Sequence, residues 1–152
     1  MCGLVGFFSP QHGQDQTQST AVLRQMMQVI QRRGPDHQGT WHNANGTLFF
    51  GHNRLAIIDL SPAGEQPMHS ASGRFVMVYN GEIYNHLDLR AELESAGVKP
   101  AWRGHSDSET LLMGFEVWGV QETLKRCVGM FALALLDQRD NTLTLALSLI
   151  HI

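Results

Sequence analysis

The chain has 152 residues, 43% of them hydrophobic and 16% charged, with a net charge of −3. Such a composition suits one globular domain with a sizeable core and excludes an intrinsically disordered segment. Basic residues are scattered apart from Arg32-Arg33, no apolar run could span a bilayer, and Met1 is followed at once by Cys2 rather than by a signal peptide, so no nucleic acid, no membrane and a cytoplasmic location are expected.

Leu4–Phe8 is apolar on both faces and is predicted as a buried strand ending at Ser9-Pro10. The polar stretch "QHGQDQTQST" reads as a loop. From Ser19, Val22, Leu23, Met26, Met27 and Ile30 recur at helical spacing, with Arg32-Arg33 in the last turn and Gly34-Pro35 as the stop. Asn45-Gly46 is a turn signal, so Gly39–His42 and Thr47–His52 are predicted as a hairpin. "RLAIIDL" and "RFVMVYN" are further strand-like runs. A helix follows with Asn85 as its cap, Leu89, Leu93 and Ala96 on one face and Gly97 as its end. The next helix opens on a capping box, Ser106-x-x-Glu109, and buries Leu111, Leu112, Phe115 and Trp118. A short helix near Glu122–Val128 leads to "MFALALLD", a doubly buried strand, and "TLTLAL" returns beside it. No repeat or linker interrupts this order, and pattern alone leads to one mixed domain of helices and sheets.

Two cysteines are too few for a disulfide framework. Cys127 reads as a packed thiol. Cys2 has two readings. It is a small core residue at the head of a strand, or, once Met1 is removed, it is a nucleophile carrying its own base. A free α-amine has a pKa of about 7.7–8.0 and can accept a proton at neutral pH without any histidine. The eight histidines show no metal-ligand spacing, and His37 and His42 read as surface residues. No phosphate-binding glycine loop is present.

The ordered set "MCGLVGFF", "RRGPD", "GHNRLAIIDLSPAGEQPM", "VYNGEIYN", "GHSDSETLL" and "GMFALALLD" resembles the glutaminase domain of asparagine synthetases, a branch of the class II (N-terminal nucleophile) glutamine amidotransferases. The resemblance runs from Met1 to about Ala146. It implies an α+β fold, a four-layer αββα sandwich. It also implies hydrolysis of L-glutamine to glutamate and ammonia through a γ-glutamyl thioester on Cys2. Carried over residue by residue, the catalytic set is Cys2 with the oxyanion donors Asn80 and Gly81. The glutamine-binding set is Arg54, Leu55, Ala56, Ile57, Ile58, Asn80, Gly81, Glu82 and Asp107. Arg54 would take the α-carboxylate and Asp107 the α-ammonium, with Glu82 assisting. Taken alone, Asn80-Gly81 also reads as a tight turn, Arg54 as a strand-end residue and Asp107 as a helix-start carboxylate. Arg33, Gly34, Pro35 and Asp36 read as a scaffold near the pocket rather than as chemistry. They speak against the sugar and phosphoribosyl branches of the class.

No cofactor or metal is expected for this half-reaction. ATP, magnesium and aspartate belong to a synthetase domain that follows in the family, whose parent is a possible homodimer. The family pattern holds to Ala146 and then gives way to "LSLIHI". Residues 1–146 are therefore expected to be an incomplete, C-terminally truncated glutaminase domain and 147–152 a non-native tail. Two alternatives stay open: an amidotransferase with another acceptor, and an inactive truncated binding module.

Overall fold

A computed structural model describes residues 2–10, 15–57, 60–98 and 101–149. In chain order the elements are β1 (Gly3–Phe8), α1 (Gln16–Val29), β2 (His37–His42), β3 (Leu48–Arg54), β4 (Met68–His69), β5 (Phe75–Ile83), α2 (His86–Ser95), α3 (Asp107–Val117), α4 (Val120–Arg126), β6 (Gly129–Asp137) and β7 (Thr142–Ser148). The strands form two antiparallel sheets. The first is ordered β1-β3-β2 and the second β4-β5-β6-β7.

Three apolar clusters separate four layers. Period-two alternation along each strand assigns residues to one cluster or the next. On β5, Phe75, Met77 and Tyr79 point toward α2 and α3, where Leu89, Leu111, Leu112 and Phe115 meet them. The intervening Val76 and Val78 join Ala134 and Leu136 of β6 against Leu48 and Phe50 of β3, between the sheets. The outer face of the first sheet packs Phe49 against Leu23 and Met27 of α1. Phe7 lies opposite Phe49 in register, and their rings stack at 4.8 Å. The order is therefore helix, sheet, sheet, helix. The α+β sandwich expected from the resemblance is present. No helix among the described residues is long and apolar enough to cross a membrane.

Several local expectations change. α1 begins at Gln16, inside the stretch read as a loop, because the Asp15 carboxylate caps it by accepting from the Thr17 N–H at 2.9 Å. Arg32-Arg33 lie beyond α1, in a separate 3-10 turn over Gln31–Arg33. The predicted hairpin is β2 with β3. β1, read as a buried strand, is an edge strand with Phe8 exposed. Of "RLAIIDL", Arg54 alone among the described residues lies in a strand, as the end of β3, and Leu55–Ile57 run on irregularly. Asn85 precedes α2 without a side-chain cap. Its side chain instead donates to Arg126 O at 2.9 Å and accepts from Val128 N at 2.9 Å, tying α2 to the start of β6.

The capping box at Ser106 is half formed. Ser106 Oγ accepts from Glu109 N at 3.3 Å, but the Glu109 carboxylate turns to the Arg103 and Gly104 N–H groups. Cys127 is buried, its Sγ 3.2 Å from Thr123 O, and burial pushes its thiol pKa up to about 12. β7, an edge strand of the second sheet, leaves Leu143, Leu145 and Leu147 exposed, and Leu149 just after it is exposed as well.

Candidate active site

The two sheets part at one end, and a cavity of about 200 Å³ opens there. One wall comes from the first sheet. Cys2 stands at the head of β1 and Arg54 at the end of β3, with Leu55, Ala56 and Ile57 following it. The other wall comes from the second sheet and α3: Asn80, Gly81 and Glu82 on β5, and Asp107 at the first turn of α3. Every site residue expected from the sequence lines this cavity except Ile58, which lies outside the described residues.

The Cys2 thiol is held on the strand rather than packed away. Leu55 N approaches Cys2 Sγ at 3.3 Å, and Sγ lies 3.6 Å from Leu55 O. Arg33 Nε donates to Cys2 O at 3.0 Å. Asp36 Oδ2 accepts from Ala56 N at 2.9 Å, and Asp36 N donates to Arg54 O at 3.0 Å. The "RGPD" segment thus clamps both the cysteine and the backbone that lines the pocket. Sequence reading named it a scaffold without saying what it holds.

Arg54 is buried and donates from Nη1 to Ser61 O at 2.9 Å. A Cβ at Gly64 would press on its guanidinium, which would have to shift.

Asn80-Gly81 is not a turn. Both residues lie inside β5, opposite Ala132 and Phe131 of β6. Here register decides the chemistry. The bonds Tyr84 N to Val128 O (2.8 Å) and Gln138 N to Arg74 O (2.8 Å) identify the even residues of β5 as the hydrogen-bonded pairs with β6. The odd residues turn their N–H and C=O groups to the opposite edge. β4 covers that edge only beside Val76 and Met77.

Beyond β4, side chains replace the missing strand. Gln66 Oε1 accepts from Tyr79 N at 2.6 Å, His52 Nε2 donates to Tyr79 O at 3.0 Å, and Asp107 Oδ2 accepts from Ile83 N at 3.0 Å. Gly81 lies between Tyr79 and Ile83 on the same edge. Among the described residues no protein acceptor is assigned to its N–H, so this donor opens toward the cavity. A Cβ on Gly81 would meet the Met130 carbonyl oxygen and the Phe131 backbone. The glycine is thus required by β6 behind it.

Asp107 is buried at the N-terminal turn of α3. Its Oδ2 accepts from Tyr79 Oη at 2.6 Å as well as from Ile83 N, and its Oδ1 accepts from Ser108 N at 2.8 Å. Burial and the Asp107 carboxylate drive the Tyr79 pKa far up, so the phenol stays protonated and donates. His52 is buried between the sheets, and desolvation lowers its pKa from 6.5 to about 4. It is therefore neutral, with the proton on Nε2 facing Tyr79 O. Its Nδ1 has no partner among the described residues. Tyr79, Gln66 and His52 went unassigned in the sequence. Their part depends on strand parity and on the short β4, which no local motif records. Among the described residues no cluster of His, Cys, Asp and Glu could hold a metal ion.

A model of the Glutamine amidotransferase domain family matches residues 1–148. A putative glutamine-hydrolysing asparagine synthetase of Mycobacterium tuberculosis is 40% identical over 148 residues, which cover 90% of this chain and 22% of that protein. Glutamine-hydrolysing asparagine synthetase 1 of Bacillus subtilis is 35% identical over 143 residues, covering 94% of this chain and 22% of the relative. The chain thus spans about a fifth of the length of these relatives. Among solved structures, glutamine phosphoribosylpyrophosphate amidotransferase of B. subtilis superposes with a TM-score of 0.69, at 17% identity, over 97% of this chain and 36% of that one. At that identity the likeness concerns the fold alone, and the fold agrees with an N-terminal-nucleophile sandwich. On the family match and the relatives together, the chain belongs to the glutamine amidotransferase domain family.

Proposed function

We propose that this domain hydrolyses the side-chain amide of L-glutamine, with Cys2 as nucleophile. The observation that carries the reading is the shared cavity. A thiol on one wall faces an open backbone donor, Gly81 N–H, and the Asn80 side chain on the other. Arg54 and Asp107 supply the two charges that a zwitterionic head needs.

With Met1 removed, the Cys2 thiol adds to the amide carbon. Asn80 and Gly81 N–H receive the developing oxyanion, and fixed donors of this kind are worth roughly 3–4 kcal/mol each. The α-amine of Cys2 takes the thiol proton and passes it to the amide nitrogen as the C–N bond breaks, so ammonia leaves and a thioester remains. Water then adds to the thioester, the α-amine takes its proton, and the thiol departs as glutamate is released. Arg54 grips the α-carboxylate with its planar fork. Leu55, Ala56 and Ile57 border the substrate with backbone and apolar surface, and Asp107 receives the α-ammonium with Glu82 nearby.

No step requires a metal or cofactor. In a protein of the relatives' length, the ammonia would be delivered to aspartate activated by ATP and magnesium. We take the cytoplasm, where the two thiols stay reduced, as the site of action. The test is release of glutamate and ammonia from glutamine by the chain processed to Cys2. Cys2→Ala should abolish it, and turnover that survives Cys2→Ala would overturn the assignment.

A further inference from the structure

Tyr79 has all three of its polar groups committed, each to a different part of the molecule. Its N–H goes to Gln66, its C=O to His52 of β3, and its hydroxyl to Asp107 of α3. The hydroxyl is the informative one. A carboxylate offers about four lone-pair positions. Tyr79 Oη and Ile83 N fill the two on Asp107 Oδ2, and Ser108 N takes one on Oδ1. Among the described residues one acceptor position on Oδ1 is left, on a residue that lines the cavity. Without the phenol, Oδ2 would keep one tether, and the carboxylate could turn about its Cβ–Cγ bond.

We propose that Tyr79 is a positioning residue for substrate recognition: its hydroxyl locks the Asp107 carboxylate so that a single acceptor faces the cavity and reads the α-ammonium of glutamine. The inference rests on the assignment of Asp107 to that ammonium. It explains why a tyrosine, rather than another apolar residue, stands at this position of β5. Its ring packs near Phe131 in the core as phenylalanine would, with centroids 6.3 Å apart, and the added oxygen meets the Asp107 carboxylate.

Tyr79→Phe keeps the ring and removes the oxygen. The probe is a pair of amides, glutamine and glutaramate, which differ only in the α-ammonium. In the wild-type chain glutamine should be strongly preferred. In Tyr79→Phe the KM for glutamine should rise by about tenfold, the share of a charge-assisted hydrogen bond that has lost its geometry. The kcat for glutamine and both constants for glutaramate should stay within about twofold, and the glutaramate constants also report that the variant is folded. Equal losses on both substrates would mean a merely structural tyrosine and overturn the proposal. So would an unchanged preference in Tyr79→Phe when Asp107→Asn abolishes it. A wild-type chain indifferent to the ammonium, or an Asp107→Asn variant that keeps the preference, would instead remove the Asp107 assignment and the proposal with it.

Discussion

The two walls of the cavity are built by different means. The wall carrying Asn80, Gly81 and Asp107 is regular structure with packed core behind it. β5 is flanked by β6 along its length, and its side chains fill apolar clusters on both faces. The wall carrying Cys2 and Leu55–Ile57 is a strand end and an irregular segment. It is fixed by a few hydrogen bonds from Arg33 and Asp36, and Ile57 is 69% exposed. On the proposed reading, the donors for a developing charge and the Asp107 carboxylate sit on the stiff wall, while the nucleophile and the backbone bordering the substrate sit on the adjustable one. This division suits a reaction in which the oxyanion site must not reorganise but the substrate must enter and leave.

The largest effect that would sharpen this contrast is at Asn80. Asn80→Ala should lower kcat by about 10²–10³ with KM little changed, since it removes a donor used only as charge develops. Steady-state kinetics on glutamine checks this. A large rise in KM at constant kcat would move Asn80 from the oxyanion to ground-state binding.

The second test is of the strut between the walls. His52 joins β3 to Tyr79 and is neutral in the fold, with its pKa lowered to about 4 against 6.5 when unfolded. Between those values the unfolded chain binds the extra proton. Stability from this group is therefore complete above about pH 6.5 and is lost as pH falls toward 4, by on the order of 3 kcal/mol in all. Denaturant unfolding across that range, compared with His52→Gln, should show the wild type losing more. Parallel curves would contradict a buried neutral His52.

A smaller effect is expected on the loop wall. Asp36→Ala frees the Ala56 N–H and should raise KM for glutamine by about fivefold, the equivalent of one exposed hydrogen bond near 1 kcal/mol, with kcat retained. A loss in kcat instead would show that the loop also positions Cys2. The smallest effect lies far from both walls. Leu145 is 73% exposed on the edge strand β7. Leu145→Lys should leave activity unchanged and stability within about 0.5 kcal/mol, while reducing self-association in light scattering.

The same contrast governs what could be read in the sequence. The apolar runs in "RFVMVYN" and "MFALALLD" reveal the central strands, because these strands have cores on both faces. The residues assigned by resemblance, Ile58 outside the described residues excepted, converge on one cavity. What stayed hidden depends on pairing rather than composition. Asn80-Gly81 looks like a turn until its register with β6 is known, and Asn85 looks like a cap until Val128 is seen beside it. "RLAIIDL" has strand composition, but Leu55–Ile57 leave the sheet after Arg54 to border the cavity. Tyr79, Gln66 and His52 acquire their roles only because β4 is two residues long and leaves the upper edge of β5 to side chains.

The central claim is that Cys2 bonds covalently to the substrate. The direct measurement is mass spectrometry of the processed chain, quenched with acid during turnover of glutamine. The account predicts a species heavier by one glutamyl group, mapped to the Cys2 peptide and absent in Cys2→Ala. Steady production of glutamate with the Cys2 peptide unmodified in every quench, and with Cys2→Ala still active, would contradict it.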